Sequence, residues 1–399
     1  MAILRPEDYR VAWIAPLEIE AQAAKHMLDH QHEGRFCMGR GDDYIYQAGE
    51  MCSHNVIIAT LPAGQEYGTG SAAALASQIK KLFPNLWFSL LVGVGAGLPD
   101  LEQNPPRDIR LGDVLVGLPG NDSSGVVAYD LGKDMGNDEI LLLRRGQVLA
   151  QTEPVVRSAI GIIKLDWPNE GKHFLGYYEA MKNRRHRVGT FEDPGLEKDR
   201  LHQIDFKNRG DLIERPTRTE SERTQVWYGS IGSGEKLMRN SIRRDQLRDK
   251  YNLIGLEMEA AGTMNRIPVG VIRGVCDYAD EHKNKEWQPY AAAMAAAYAK
   301  AILAKIGPSA STSTTKRPDL EEAPNGTSSK RSNNAYADGS ATENNNNYCR
   351  KKRRSSSHAD RRRVSLRGQG NVNVGSGSIS IGRDQSFVSR GGEGGITRL

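Results

Sequence analysis

Cysteine is scarce in this sequence: there are four in 399 residues, and no two of them form a CxxC pair. This usage excludes a disulfide-rich scaffold and a CxxC metal or redox motif. No positively charged and then apolar segment follows Met1, so the sequence predicts no secretory signal peptide. Together these absences favour a reducing, cytoplasmic setting.

Long apolar runs are also missing. The run at 86–97 is interrupted by glycine and is shorter than the roughly 20 residues that cross a bilayer. We therefore expect no membrane partner. The nine histidines are scattered and none stands in an HExxH motif, so we expect neither a metal nor another cofactor.

Positive charge is unevenly distributed along the chain. Residues 307–399 carry 16 Lys and Arg against 8 Asp and Glu, a net charge of +8, whereas residues 1–306 carry −3. We therefore expect no nucleic-acid partner for the first part. The segment 307–399 is rich in Ser, Asn, Arg and Gly and has almost no apolar clusters, which predicts a disordered tail behind a catalytic domain at 1–306.

Residues 9–305 alternate short β-branched runs with helical periodicity, which is typical of an α/β protein with a mainly parallel central sheet. The polar stretch 167–224 predicts a long irregular insertion. The predicted elements are, in chain order, strand 9–15, helix 17–30, strand 55–61, helix 71–83, strands 86–95, 112–118 and 268–277, and helix 287–306.

Acidic side chains stand where predicted strands end. Glu20 follows the first strand. Glu257 and Glu259 open a helix, and Asp277 ends the next strand. Open α/β sheets bind ligands at the carboxyl ends of their strands. Breaking an N-glycosidic bond needs acids in such a place, to hold ribose hydroxyls, to direct a nucleophile and to protonate the departing base. The alternative is that acids such as Glu18 and Glu20 only complement a helix dipole.

Seven motifs resemble, in order, those of the nucleoside phosphorylase superfamily, which includes purine nucleoside phosphorylases, methylthioadenosine/S-adenosylhomocysteine nucleosidases and AMP nucleosidase. The resemblance covers about 300 residues and points to the fungal, NACHT-associated branch. The motifs are LPAGQEYGTGSAAA (61–74), LLVGVGAGLPD (90–100), DIRLGDVLVG (108–117), GVVAYDLGK (125–133), YGSIGSGEKLM (228–238), GLEMEAAG (255–262) and RGVCDYADEHKNKEWQPYAAAMAAAYAK (273–300).

This resemblance implies a three-layer α/β/α fold with a central mixed sheet, and it implies roles for particular residues. Glu20 matches the acid that activates water in the nucleosidases, and Asp277 matches the acid that holds or donates the proton at purine N7. Met258 and Glu259 match the pair that lines the ribose, with Glu257 beside them. The other matches lie near the sugar or the base: Gly93, Gly95, Ser233, Gly234, Lys236 and Leu237.

Water is favoured over phosphate as the nucleophile. Leu91 stands where the phosphorylases have an arginine before the glycine turn, and residues 15–25 contain no arginine, so phosphate would find few charge-assisted hydrogen bonds. A purine nucleoside phosphorylase remains an alternative if the insertion or a neighbouring subunit of a homo-oligomer supplies the cations. A non-catalytic purine-binding signalling module is a second alternative.

Two departures from the nucleosidase pattern concern the base. Leu237 stands where those enzymes stack a phenylalanine on adenine, and Cys276 replaces the serine before the catalytic aspartate, which weakens the assignment of N7 protonation. Other aromatic residues would have to stack on the base, although a core position is favoured for each of them: Trp287, Tyr278 and Tyr228.

The substrate predicted from the resemblance is a small purine nucleoside or nucleotide. Lys236, Arg239 and the basic run 184–187 favour an adenine nucleotide, ATP or dATP, cleaved to adenine and (deoxy)ribose 5-triphosphate, as in related immune effectors. A solvated loop is the alternative for the basic run. A nucleosidase for methylthioadenosine or S-adenosylhomocysteine is the alternative for the reaction.

The tail contains two motifs of its own. Residues 370–385, GNVNVGSGSISIGRDQ, repeat an alternating apolar and polar tetrad that resembles signalling amyloids and predicts a partner that assembles through the tail. A Gly/Ser linker that alternates by chance is the alternative. The cluster CRKKRRSSSHADRRR at 349–363 is typical of nuclear import, which makes the nucleus an alternative location.

Overall fold

The computed structural model describes residues 2–64, 67–120, 123–134, 140–142, 149–204 and 210–308. The chain divides into two units, 1–328 and 329–399, and all of the second unit lies outside the described residues. The predicted disorder of the tail and both of its motifs therefore also lie outside them. Within the described ranges, no helix combines the length and the apolar character needed to cross a membrane.

Strands and helices alternate through most of the first unit. The strands are β1 Ile3–Leu4, β2 Val11–Ile14, β3 His30–Gln31, β4 Arg35–Phe36, β5 Tyr46–Met51, β6 His54–Ala59, β7 Phe88–Gly97, β8 Val114–Gly117, β9 Val126–Ala128, β10 Gly132–Asp134, β11 Ile140–Leu142, β12 Arg185–His186, β13 Gly189–Thr190, β14 His202–Ile204, β15 Gly210–Leu212, β16 Val226–Ser233, β17 Leu253–Glu257 and β18 Gly270–Asp277. The helices are α1 Glu18–Met27, α2 Thr69–Leu82, α3 Pro154–Lys164, α4 Leu175–Met181, α5 Ser241–Tyr251, α6 Ala260–Met264 and α7 Gln288–Lys305.

The central sheet is mixed, as predicted. Its strand order is β17-β16-β8-β18-β7-β2-β6-β5-β3, with β9 beside β16. The centre β18-β7-β2-β6 is parallel, and its strands are almost wholly buried, which explains their continuous apolar sequences. A further antiparallel pairing of β17 with β7 closes β7, β18, β8, β16 and β17 into a ring.

Helices cover both faces of this sheet. The connection from β2 to β6 runs outward along the sheet, and the connection from β6 to β7 passes back over β2. Because such crossovers are right-handed, α1 and α2 lie on opposite faces. The alanine-rich α7 packs on β18, β7 and α1, and 14 of its 18 residues are buried. These positions produce the predicted layered α/β/α arrangement.

The insertion is more regular than predicted. It contains α4 and two short hairpins, β12 with β13 and β14 with β15. A buried ion pair fixes its second half to the sheet: Arg218 donates to the Asp113 carboxylate at 2.6 and 3.0 Å. Trp227 of β16 donates its indole N–H to the same carboxylate at 2.8 Å. Tyr278, which follows β18, donates its hydroxyl to Asp199 of the insertion at 2.5 Å.

The close packing of α7 on the sheet depends on glycine. A Cβ at Gly274 of β18 would overlap the backbone carbonyl of Ala291 in α7, and backbone cannot move aside as a side chain can. We expect Gly274→Ala to lower the free energy of unfolding by about 3 kcal/mol, at the upper end of overpacking costs. Urea unfolding of purified protein measures this change.

Gly161→Ala is the matched control. Gly161 lies inside α3 and a Cβ there would meet no atom within 4 Å. The substitution should raise stability by up to about 1 kcal/mol, because alanine is the better helix former. Equal stability of the two variants would contradict the proposed packing of α7.

Candidate active site

A buried arginine is the centre of the acidic cluster. Arg273 lies in the middle of β18 and is 1% exposed. Its Nη2 donates to Glu257 and, at 3.1 Å, to Glu259, and its Nη1 lies 3.8 Å from Glu20 Oε1. Among the described residues, Nε and Nη1 of this arginine have no hydrogen-bond partner. Three carboxylates, one from the start of α1 and two from the end of β17 and the residues just after it, therefore surround one guanidinium.

Glu20 is held at the start of α1 by two backbone amides. Its Oε2 accepts from Leu17 N–H at 2.8 Å, which caps the helix, and its Oε1 accepts from Val94 N–H at 2.7 Å. A Cβ at Gly93 would overlap the Glu20 carboxylate, so the glycine turn allows this approach. Burial raises the pKa of Glu20, against the opposing charge of Arg273. The other acid of this helix, Glu18, is exposed.

Glu257 and Glu259 differ in how far hydrogen bonds within the protein already occupy their carboxylates. Glu257 is fully buried and accepts the backbone N–H of Glu259 at 3.0 Å and that of Ala260, so it caps the short α6. The side chain of Glu259 is 9% exposed and faces Arg273 and the backbone of Gly68. Burial raises its pKa to about 7, with Glu257 and Glu20 adding to the rise and Arg273 opposing it. Glu259 is thus the acid available to a ligand, and the half-buried Met258 lies between the two.

Asp277 is the last residue of β18 and lies four residues after Arg273. Its Oδ1 accepts from Ala279 N–H at 2.9 Å. Its Oδ2 lies 3.1 Å from Cys276 Sγ and 2.9 Å from Lys283 Nζ. Burial and the Asp277 charge raise the pKa of the Cys276 thiol well above its ordinary value, so the thiol stays protonated and donates. The cysteine therefore supplies the donor that a serine would.

The segment after β16 has both structural and ligand-facing positions. The Ser233 hydroxyl is fully buried and accepts from Ala261 N–H at 2.9 Å, so it fixes α6. A Cβ at Gly234 would meet the Tyr129 ring, and one at Gly95 would lie 3.0 Å from the Leu256 carbonyl, so both glycines serve packing. A cavity of about 320 Å³ opens beyond them, lined by Tyr129, Asp130, Lys236, Leu237, Met238, Arg239, Asn240 and Arg243.

This cavity is connected to the Asp277 loop. Arg239 donates to the backbone carbonyl of Lys283 at 3.0 Å, and Lys283 binds Asp277. Two of the predicted residues, Lys236 and Leu237, line the cavity, and Leu237 is 52% exposed. The loop that follows Asp277 thus contacts one residue of the cavity lining, Arg239, whereas Asp277, Glu20 and Glu259 are not among the lining residues.

The three aromatic residues considered for stacking have core positions. Trp287 is 2% exposed, and Tyr278 is buried with its hydroxyl on Asp199. The Tyr228 hydroxyl pairs with that of Tyr298 at 3.2 Å. Tyr129, which lines the cavity, was not among the candidates. Its position in the motif GVVAYDLGK could have identified it as a candidate from the sequence.

The basic run of the insertion lies away from the acids. Arg184 and Arg185 belong to the β12 hairpin, whose backbone contacts His26 at the C-terminal end of α1. Glu20 lies at the other end of this helix. Burial and the charge of the nearby Arg184 lower the pKa of His26. The run thus gives no support to binding of substrate phosphates at the acidic cluster.

Arg273 and Lys283 are two further site residues that were not predicted from the sequence. Arg273 is a cation inside an otherwise apolar strand, which is costly unless it is paired, and that pattern was a usable signal. Lys283 stands in a polar loop with several other charges, and nothing in the sequence distinguishes it from them.

One sequence relative and several solved structures are similar to this chain. No family model matches it. A nucleotide-binding leucine-rich repeat (NLR)-like protein of Hyaloscypha variabilis is 35% identical over 318 residues, which are 77% of this chain and 30% of that protein. The chain thus spans less than a third of that relative.

Two of the similar solved structures are bacterial enzymes. Futalosine hydrolase of Helicobacter pylori has 13% identity and a TM-score of 0.49, with 74% of this chain and 97% of that chain covered. The 5′-methylthioadenosine/S-adenosylhomocysteine nucleosidase of Neisseria meningitidis, bound to methylthio-immucillin-A, has 17% identity and a TM-score of 0.48, with 74% and 99% covered.

The raised pKa of Glu259 predicts a pH-dependent stability. The folded-state pKa of about 7 exceeds the ordinary value of 4.5, so the stabilising contribution of protonated Glu259 is complete below about pH 4.5 and is lost as the pH rises through 7. Glu259→Gln keeps the group neutral. We expect the variant to gain stability relative to the original protein between pH 5 and pH 8, on the order of 2 kcal/mol.

Thermal unfolding at several pH values measures this difference. The control is Glu281→Gln, which changes an exposed glutamate of the loop after β18. Its stability difference should not depend on pH. A constant difference for Glu259→Gln across the range would show that Glu259 is not held in the buried cluster.

Proposed function

We propose that this chain is a purine N-ribosyl hydrolase of the nucleoside phosphorylase superfamily, acting on an adenine nucleotide. One observation carries the proposal: Arg273 of β18 draws Glu20 and Glu259 together beside the glycine turn of β7, and Asp277 ends the same strand. The acids proposed for the nucleophile and the sugar therefore lie beside the strand whose end carries the acid proposed for the base.

The roles follow from what each acid already binds. Glu20 is held by two amides and Arg273, so its carboxylate is oriented to take a proton from water that attacks C1′. Glu259, ionised above about pH 7, accepts the 2′ and 3′ hydroxyls of the ribose. Asp277 binds N7 of the purine, and a proton there makes the base a better leaving group as the ribose becomes oxocarbenium-like.

Water fits this site better than phosphate. Three carboxylates surround one guanidinium, so the cluster carries an excess of negative charge when its acids are ionised. A phosphate ion would be repelled in a buried site, where charge interactions are poorly screened. Phosphorolysis would require cations from elsewhere, such as a second subunit of a homo-oligomer.

The cations of the cavity support a nucleotide over a thioether nucleoside. Lys236, Arg239 and Arg243 face the cavity, against one acid, Asp130. This excess of positive charge suits an anionic substrate such as ATP or dATP, with adenine and (deoxy)ribose 5-triphosphate as products. An apolar pocket would be needed for a thioalkyl group. The NLR-like relative supports a role as an immune or cell-death effector.

Incubation with ATP, dATP, AMP, adenosine and methylthioadenosine tests the reaction, with free adenine followed by chromatography. We expect adenine from an adenine nucleotide without added phosphate. Asp277→Asn should lower kcat by about 10² to 10⁴, the usual contribution of a general acid. Asp249→Asn, which alters an exposed acid on α5, should leave kcat unchanged. Adenine formed only when phosphate is present would refute hydrolysis.

We further propose that the tail motif at 370–385 recruits a partner through cross-β assembly. Its alternating tetrads, VNVG and ISIG, contain no proline, which suits stacked strands. A synthetic peptide of these residues should form fibres that bind thioflavin T. A peptide with Val374 and Ile381 both changed to Asp should not, and fibres from both peptides would show that the tetrads are not responsible.

A further inference from the structure

Asp277 has an unusual neighbour for an acid that must deliver a proton. Lys283 Nζ lies 2.9 Å from Asp277 Oδ2, and the side chains are 20% and 3% exposed. Asp277 itself is therefore shielded from solvent, while Lys283 reaches from the carboxylate towards the surface. A proton that leaves Asp277 can be replaced most directly through this ammonium group.

The loop that carries Lys283 is held at several points. Arg239 donates to the Lys283 carbonyl at 3.0 Å, and Arg244 donates to the Tyr278 carbonyl at 2.9 Å. Lys198 of the insertion binds Glu286 at 2.6 Å. These contacts come from α5, from the segment before it and from the insertion, so the position of Lys283 beside Asp277 is built into the fold.

We propose that Lys283 is a positioning residue that stores the proton delivered by Asp277 to the leaving purine. The inference rests on the proposed function. As the C1′–N9 bond breaks, its electron pair moves to the purine. Lys283 passes its proton to the Asp277 carboxylate, which passes a proton on to N7 and is left as a carboxylate again. Water forms the new bond to C1′ and loses a proton to Glu20. Solvent then restores the proton of Lys283 and removes that of Glu20.

The charged groups around Lys283 keep its amino group protonated in the resting protein. Burial opposes the charge of Lys283, but the Asp277 carboxylate raises its pKa above the ordinary value, with Arg239 acting in the opposite direction. Asp280 and His282 lie on the same loop, and the Lys283 backbone N–H donates to the Asp280 carbonyl. The ammonium is therefore present through neutral and mildly alkaline pH.

Two variants separate storage of a proton from simple charge pairing. Lys283→Met removes both the charge and the proton. Lys283→Arg keeps the charge, but a guanidinium does not release a proton in proteins. Lys285→Met is the control, because it removes an equally charged side chain that is exposed on the same loop. Thermal unfolding of each variant establishes that the fold is retained.

The readout is the ratio of the variant's kcat to that of the original protein from pH 5.5 to 8.5, with ATP and adenosine. Protons from solvent are abundant at acid pH and can replace the one that Lys283 supplies, so we expect the Lys283→Met ratio to lie within about threefold of unity at pH 5.5 and to fall about 100-fold by pH 8.5. Lys283→Arg should follow the same course, and Lys285→Met should stay near unity. A ratio independent of pH, or full recovery by Lys283→Arg, would overturn the proposal.

A binding measurement separates this inference from the proposed function. Formycin A is an adenosine isostere that carries a proton at N7 and a carbon–carbon glycosidic bond that water does not cleave. It should donate its N7 proton to the Asp277 carboxylate that pairs with Lys283, and Lys283→Met should weaken its binding about tenfold at pH 7.5. Unchanged affinity would contradict the role of Lys283, whether or not any substrate is cleaved. Failure to cleave all of the substrates would contradict only the proposed hydrolase activity.

Discussion

The pairing of one buried guanidinium with three carboxylates is the constraint on which the rest of this site depends. A charge as deeply buried as that of Arg273 is stable only with partners, and a cluster of buried acids is stable only with a cation. Each therefore requires the other, and both must be brought in by strands and helices of fixed position. Burial raises the pKa of Glu259 despite the opposing charge of Arg273, and the charges of Glu257 and Glu20 add to the rise.

The surrounding backbone is shaped to this cluster. The glycine turn of β7 lets Val94 N–H reach Glu20, and the start of α6 places two amides on Glu257. Of the three acids, Glu20 and Glu257 are thus occupied by the protein itself. Glu259 is left for a ligand. The three acids therefore differ in role because of their hydrogen bonds and not because of their residue type.

The second part of the site depends on the insertion and on α5. Asp199 binds the hydroxyl of Tyr278, and Arg244 binds its carbonyl, so the chain after Asp277 is held from two sides. The same loop brings Lys283 back to Asp277. A polar insertion that looked irregular in sequence therefore supports the end of the sheet at which the base is proposed to bind.

Much of the fold could be predicted from the sequence, because buried parallel strands and amphipathic helices have strong local patterns. The predicted strand 86–95 and helix 287–306 agree closely with β7 and α7. The strands β16 and β17 were not predicted as such, because glycine interrupts their apolar patterns and their pairing closes a ring that no local pattern records. The acids Glu20, Glu259 and Asp277 were selected because they follow strand ends.

The sequence by itself determined the fold class and predicted the kind of chemistry, since both are expressed in residues that are neighbours along the chain. The tertiary structure alone decided which acids share a cation, which of them is left free, and that Lys283 faces Asp277. Those facts depend on distances between segments as far apart as α1 and β18, and hydrophobic periodicity carries no information about such distances.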